Sequence, residues 1–280
     1  MNGFPPLDAS AILRKNGIRP RHRLGQNFLQ DPEALQKIVE AGGISSSDVV
    51  LEIGCGLGSL TVFLAQAARR VVAVEVDPRL AAVASEALRA FGNVEIVCAD
   101  FLELNPAGLG LPHGYVVAAN IPYYITSPIL RRVLESEPGP NRIVLTVQKE
   151  VAARICAGPP EMSLLALSVQ VYGSAKVVAA IPARSFFPVP KVDSAVVRVD
   201  CHEQPLVPSV LMGSYFKVAK AGFGQPRKML SNALSAGLRI QTSAARSMLL
   251  QAGIDPRRRA ETLAVQEWLQ LAQTVSGDVP

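Results

Sequence analysis

Asn120, Ile121, Pro122 and Tyr123 set a side-chain amide, a main-chain carbonyl, a stiffened turn and an aromatic ring in immediate succession. An amide oxygen and a backbone oxygen can together accept both N–H bonds of an amino group, and the fixed φ of proline helps hold such a pair in place. Three other stretches carry groups of comparable interest. Gly54-Cys55-Gly56-Leu57-Gly58 offers a turn without side chains at three positions, so that a ligand can approach the backbone closely. Glu75 lies 17 residues after Gly58, where an acid can accept from the two hydroxyls of a ribose. Asp100 precedes Phe101, which puts an acceptor for an amino group beside a ring that can cover a base. Each has an ordinary alternative when read alone. Asn and Pro make turns, glycines make tight turns, Glu75 can cap a helix and Asp100 can sit in a surface turn.

The elements that must position these groups alternate. Short β-branched runs at 49–54, 71–76, 94–99, 115–120 and 142–148 read as strands. Helical spacing is expected over 59–68, after Asp77-Pro78, near 127–136 and over 163–173. Asp31-Pro32-Glu33 is a further helix start. The runs at 175–182 and 194–199 leave no room for a helix between them and are expected to pair antiparallel. Seven strands follow, in a mostly parallel sheet with helices on both faces, an α/β architecture. Gly54, Glu75, Asp100 and Asn120 all fall at strand C-termini, where open α/β sheets bind ligands.

Beyond about residue 205 the strand pattern stops. Tyr215, Val218 and Ala219 follow helical spacing, as do Ala245, Met248 and Leu249, and then Val265, Trp268 and Leu269. Two domains are therefore expected, 1–205 carrying the sheet and 206–280 all-helical. The net charge of +5 is uneven. Residues 1–23 hold five Arg/Lys against one acid, and 201–280 hold nine against five, which suits a polyanionic partner, although a solvated basic surface explains it equally.

Cys55, Cys98, Cys156 and Cys201 are scattered, as are His22, His113 and His202, so no metal site is expected. No apolar run of about eighteen residues and no apolar leader segment is evident, so neither membrane insertion nor secretion is expected. A cytoplasmic protein with reduced thiols fits best.

The nicotinamide fingerprint asks for a third glycine at position 59, which is Ser59. G-x-G-x-G instead resembles the S-adenosylmethionine turn of class I (Rossmann-like) methyltransferases. Methyl transfer from a sulfonium is an in-line displacement, so the acceptor's lone pair must be aimed at the methyl carbon. The lone pair of an aromatic amine is delocalised into its ring. Two acceptor oxygens at Asn120 and Ile121 would favour a pyramidal nitrogen, and Tyr123 would stack on the base, an interaction worth about 1–3 kcal/mol.

N-I-P-Y (120–123) resembles the amino-methyltransferase signature in the form found in the rRNA adenine N6-methyltransferase family. RHRLGQNFLQD (21–31) is similar to that family's N-terminal lid motif and FFPVPKVDSAVV (186–197) to its F-x-P-x-P-x-V-x-S motif. GFGQPRKMLSNAL (222–234) and RRAETLAVQEWLQL (258–271) resemble the basic and terminal helices of its small-subunit branch. Leu24 and Pro226 depart from the family pattern.

The resemblance implies S-adenosyl-L-methionine as cofactor, held by Asn27, Leu29, Gly54, Glu75, Asp100 and Asn120. It implies a target adenine served by Asn120, Ile121 and Pro122 and sandwiched by Tyr123 and Phe186. Arg227 or Lys228 would hold RNA backbone. The implied reaction is N6,N6-dimethylation of two adjacent adenosines in the 3′-terminal hairpin loop of 16S rRNA. The implied partner is the immature 30S subunit during ribosome assembly, and a monomer is expected. Three other readings are open: the erythromycin-resistance branch acting on large-subunit rRNA, an assembly factor that mainly binds, and a nucleotide-dependent dehydrogenase.

Overall fold

The computed structural model describes residues 8–21, 25–121 and 125–276. Two compact units form, one from residues up to Ala152 together with Ala175–Cys201, the other from Ala153–Ser174 together with residues from His202 onward.

The first unit is built on a seven-stranded sheet. Its strands are β2 (Val49–Ile53), β3 (Arg70–Glu75), β4 (Val94–Cys98), β5 (Tyr115–Asn120), β6 (Pro140–Gln148), β7 (Gly173–Ile181) and β9 (Ser194–Cys201), in the order β4-β3-β2-β5-β6-β9-β7. The first five are parallel, and β9 runs antiparallel to β6. As the spacing predicts, β7 and β9 are neighbours. A separate two-stranded ribbon pairs β1 (Phe28–Leu29) with β8 (Phe186–Phe187).

Helix α1 (Ala9–Lys15) precedes the ribbon, and the crossovers include α2 (Pro32–Gly42), α3 (Ser59–Ala67), α4 (Pro78–Ala87) and α5 (Thr126–Leu134). Their starts follow from local chemistry. Asp31 and Asp77 cap α2 and α4 through their side chains, each with proline in the first turn, where its missing N–H costs nothing. Strands buried on both faces read as continuous apolar runs, and all five residues of β2 are buried. The acid Glu52 stands inside that run.

In the second unit, α7 (Leu164–Gln170), α8 (Ser209–Phe223), α9 (Leu230–Leu238), α10 (Thr242–Gln251) and α11 (Val265–Ser276) enclose a core around Trp268, Tyr215 and Leu234. The single boundary near 205 drawn from the sequence differs from this division. Ala166 and Leu167 of α7 pack into the core of Tyr215 and Trp268, so 153–174 groups with the helices. Helix α6 (Lys149–Cys156), which leaves β6 without a turn, was also not expected. Among the described residues no helix is long and apolar enough to cross a membrane, and no group of three or more His, Cys, Asp or Glu is placed to hold a metal ion.

Candidate active site

The chain order reverses beside β2, which pairs with β3 on one side and β5 on the other. Such a switch point opens a crevice at the strand C-termini. Register makes this concrete. Ile53 pairs with Val74 and Glu52 with Ala118, so Gly54 comes level with both Glu75 and Asn120. A Cβ on Gly54 would stand 4.0 Å from the main-chain oxygen of Asn120.

The glycine turn uses the left-handed region at three positions, with φ of 78° at Gly54, 57° at Gly56 and 82° at Gly58. A side chain at Gly56 would come within 3.1 Å of the Phe28 ring. Gly58 is the N-cap of α3 and leaves that helix start without a side-chain cap. The buried carboxylate of Glu75 is held from two sides: Oε2 accepts from the Gly56 N–H at 2.9 Å and Oε1 from the Asp77 N–H at 2.9 Å. Each oxygen keeps a second lone pair, so two hydroxyl donors can still be accepted. Burial pushes the Glu75 pKa up, and the backbone N–H bonds from Asp77 and Gly56 oppose it.

Asn27, Leu29, Gly54, Glu75, Asp100 and Asn120 all line one pocket of about 890 Å³, its open mouth included. The Asn120 Nδ2 donates to the main-chain oxygen of Asn27 at 3.1 Å, which orients the amide and leaves Oδ1 as its acceptor end. Asp100 is exposed and accepts from the Leu102 N–H at 2.9 Å, which fixes its side chain at the turn, and Phe101 is buried beside it.

Ile121 is buried and its N–H donates to Thr146 O at 3.4 Å. Pro122 and Tyr123 lie outside the described residues. Phe186 is not on the pocket wall. Its backbone pairs with Leu29, and its ring, 1% exposed, packs in the core with Leu29, Leu35 and Ile38.

Several wall residues escaped sequence reasoning. Glu52, 1% exposed, lines the pocket, and its Oε2 has no hydrogen-bond partner among the described residues. Burial raises its pKa to about 8. The signal was an acid inside an otherwise apolar strand. Val76, 48% exposed, gives the pocket an apolar surface just past Glu75, and Gln26 joins the wall from the N-terminal arm.

Comparison with known proteins decides the family. Residues 17–276 match the ribosomal RNA adenine dimethylases. The chain belongs to that family. Curated relatives named ribosomal RNA small subunit methyltransferase A include one from Dehalococcoides mccartyi, 43% identical over 272 residues, spanning 96% of this chain and 94% of the relative. Another, from Shouchella clausii, is 40% identical over 279 residues, spanning 96% and 94%. Among solved structures, the 23S rRNA methyltransferase ErmE superposes with a TM-score of 0.71 at 30% identity, covering 89% of this chain and 99% of that one. A dimethyladenosine transferase from Plasmodium falciparum gives 0.74 at 26% identity, covering 87% and 95%.

The chain is thus an rRNA adenine dimethyltransferase with a class I methyltransferase fold, and the family implies S-adenosylmethionine. The pocket fits that group. Its wall carries the carboxyl groups of Glu75 and Asp100, with Glu52 kept protonated by burial, and, among the described residues, no Lys or Arg. Such a wall favours a cationic sulfonium over a polyanionic dinucleotide.

Proposed function

We propose that this enzyme methylates N6 of two adjacent adenosines in the 3′-terminal hairpin loop of 16S rRNA, acting as a monomer on an immature 30S subunit during ribosome assembly. The observation that carries the chemistry is the Asn120 amide, tied by Nδ2 to Asn27 O so that its oxygen is the acceptor end at the tip of β5. The choice of the small subunit rests on relatives of that name matched over nearly their whole length.

Glu75 takes the ribose hydroxyls of the cofactor, Asp100 the adenine amino group, and Gly54, Asn27 and Leu29 close the site around it. S-adenosylmethionine supplies an electrophilic methyl group. Asn120 Oδ1 and the Ile121 carbonyl accept from the target amine and favour its pyramidal form, so the gain is orientation plus fixed dipoles. Pro122 stiffens the turn, and Tyr123 stacks on the base. No general base is needed, because the amine becomes acidic as the new bond forms and water takes the proton. Phe186 would have to leave the core to cover the base, so we assign it to backing Leu29 from behind.

The sheet unit carries this chemistry, and the helical unit carries rRNA contacts through exposed cations such as Arg227 and Lys228. Separate incubation of each ribosomal subunit, stripped of its methyl groups, with labelled cofactor tests the reading. Label should appear in the small subunit and map to two neighbouring adenosines. Label confined to the large subunit rejects it.

A further inference from the structure

The pocket wall contains a side chain whose polar atoms turn away from the proposed chemistry. Gln26 accepts the Arg21 N–H on Oε1 at 2.7 Å, and its Nε2 reaches Oδ2 of Asp77 at 3.4 Å. The Asp77 side chain is fully buried. Arg79 holds it at 2.7 Å and Arg21 approaches at 3.7 Å, and the Arg79 hydrogen bond lowers its pKa to about 2, so it is a fixed anion at neutral pH. Its own N–H is the donor on Glu75 Oε1.

The next residue along the arm is Asn27, whose carbonyl receives the Asn120 amide. Beyond it the arm is fastened again. Leu29 pairs with Phe186, the Gln30 N–H donates to Ser185 O at 3.0 Å, and Ser185 Oγ donates to Asp31 Oδ2 at 2.7 Å. Residues 26–31 therefore run between two anchors, and the only contact from this segment to the end of β3 is made by Gln26 among the hydrogen bonds of the described residues.

We propose that Gln26 is a positioning residue: by holding the buried carboxylate of Asp77 it fixes Asn27, and the Asn27 carbonyl in turn sets the Asn120 amide. Glu75 and Asn120, on the strands either side of β2, are then linked through one stretch of arm. Removing the Gln26 amide frees one anchor and lets the Asn27 carbonyl move. The acceptor oxygen on Asn120 is then misaimed while the pocket and its carboxylates stay in place. The inference rests on the proposed role of Asn120, and its test separates the two.

A double-mutant cycle with Gln26→Ala and Asp77→Ser in the full chain is the experiment. Serine still caps α4, so the helix start is kept. Each single variant should lower kcat about tenfold while the KM for S-adenosylmethionine moves by less than about threefold, because orientation rather than ground-state binding is lost. The double variant should be no worse than the poorer single, since both act through one contact. Backbone amide exchange of residues 25–31, followed by mass spectrometry without cofactor, should quicken about tenfold in each single variant and no further in the double. Unchanged exchange in that segment, or losses in kcat that multiply, would overturn the proposal. Wild-type protein that methylates no rRNA would sink the functional reading instead, and the exchange measurement would still decide whether Gln26 holds the arm.

Discussion

In the sheet unit three carboxyl groups, Glu52, Glu75 and Asp77, are buried, whereas the described residues of the helical unit bury none. There the acids stay at least partly exposed, as the half-buried Glu267 does in its pairing with Arg258. Burying a carboxyl costs several kcal/mol unless it is paired, hydrogen-bonded or protonated. The sheet unit meets that cost in three ways: arginine for Asp77, backbone N–H groups for Glu75, and a raised pKa for Glu52. The helical unit invests in shape instead, with Gly222 and Gly237 letting Trp268 and the backbone of Ala221 come close. One unit is organised around charge at a rim, the other around packing, so substitutions in the two should damage different things.

The sharpest break is at Asn120. Asn120→Ala should lower methyl transfer by about a hundredfold or more, the cost of removing an aimed dipole, with a smaller loss of S-adenosylhomocysteine binding than of turnover and a melting temperature close to wild type. Glu75→Ala should do the reverse. Two hydroxyl contacts to a charged acceptor are lost, so cofactor affinity should fall by at least about tenfold, read by isothermal titration. If Glu75→Ala binds cofactor as wild type does, the carboxylate is structural and the contrast between the units fails.

Gly237→Ala probes the other side of the contrast. Its Cβ would lie 2.6 Å from Cα and Cβ of Ala221, main chain that cannot swing aside. Separation of α8 and α9 should cost about 1–3 kcal/mol, seen as a lower denaturation midpoint, while cofactor affinity stays unchanged. A loss of cofactor binding with no loss of stability would contradict the division of labour.

These contrasts were partly legible in the sequence. The strands showed as β-branched runs, uninterrupted where a parallel strand is buried on both faces as β2 is, and Asp31 and Asp77 announced their helices by capping chemistry. That Gly54, Glu75, Asp100 and Asn120 share one rim was legible because strand ends are where such sheets present ligands. The ribbon of β1 and β8 was not, since two-residue strands some 160 residues apart leave no periodic trace. The motif at 186–190 carries residue types and not directions, and Phe186 lies in the core behind Leu29. Gln26 and Asp77 are 51 residues apart, and only the fold makes them neighbours.

Glu52 was legible and passed over, and it supports an effect confined to the pH dependence of stability. Its carboxyl titrates at about 8 in the folded protein, against 4.5 when exposed, because burial disfavours the anion. Between those values the unfolded chain has released the proton and the native state has kept it. Stability therefore falls as pH rises through that window, the opposite of the usual salt-bridged acid. Glu52→Gln cannot ionise and should remove the slope. At pH 5 its melting temperature should lie close to wild type, and by pH 8 it should lie clearly higher, by about 2–4 °C for each kcal/mol that ionising the buried carboxyl costs in a chain of this size. Parallel curves for the two proteins from pH 5 to 8 would mean that Glu52 is ionised in the native state. The pocket would then hold its third carboxylate as a charge, and the sheet unit would have no neutral acid to set against the uncharged core of the helices.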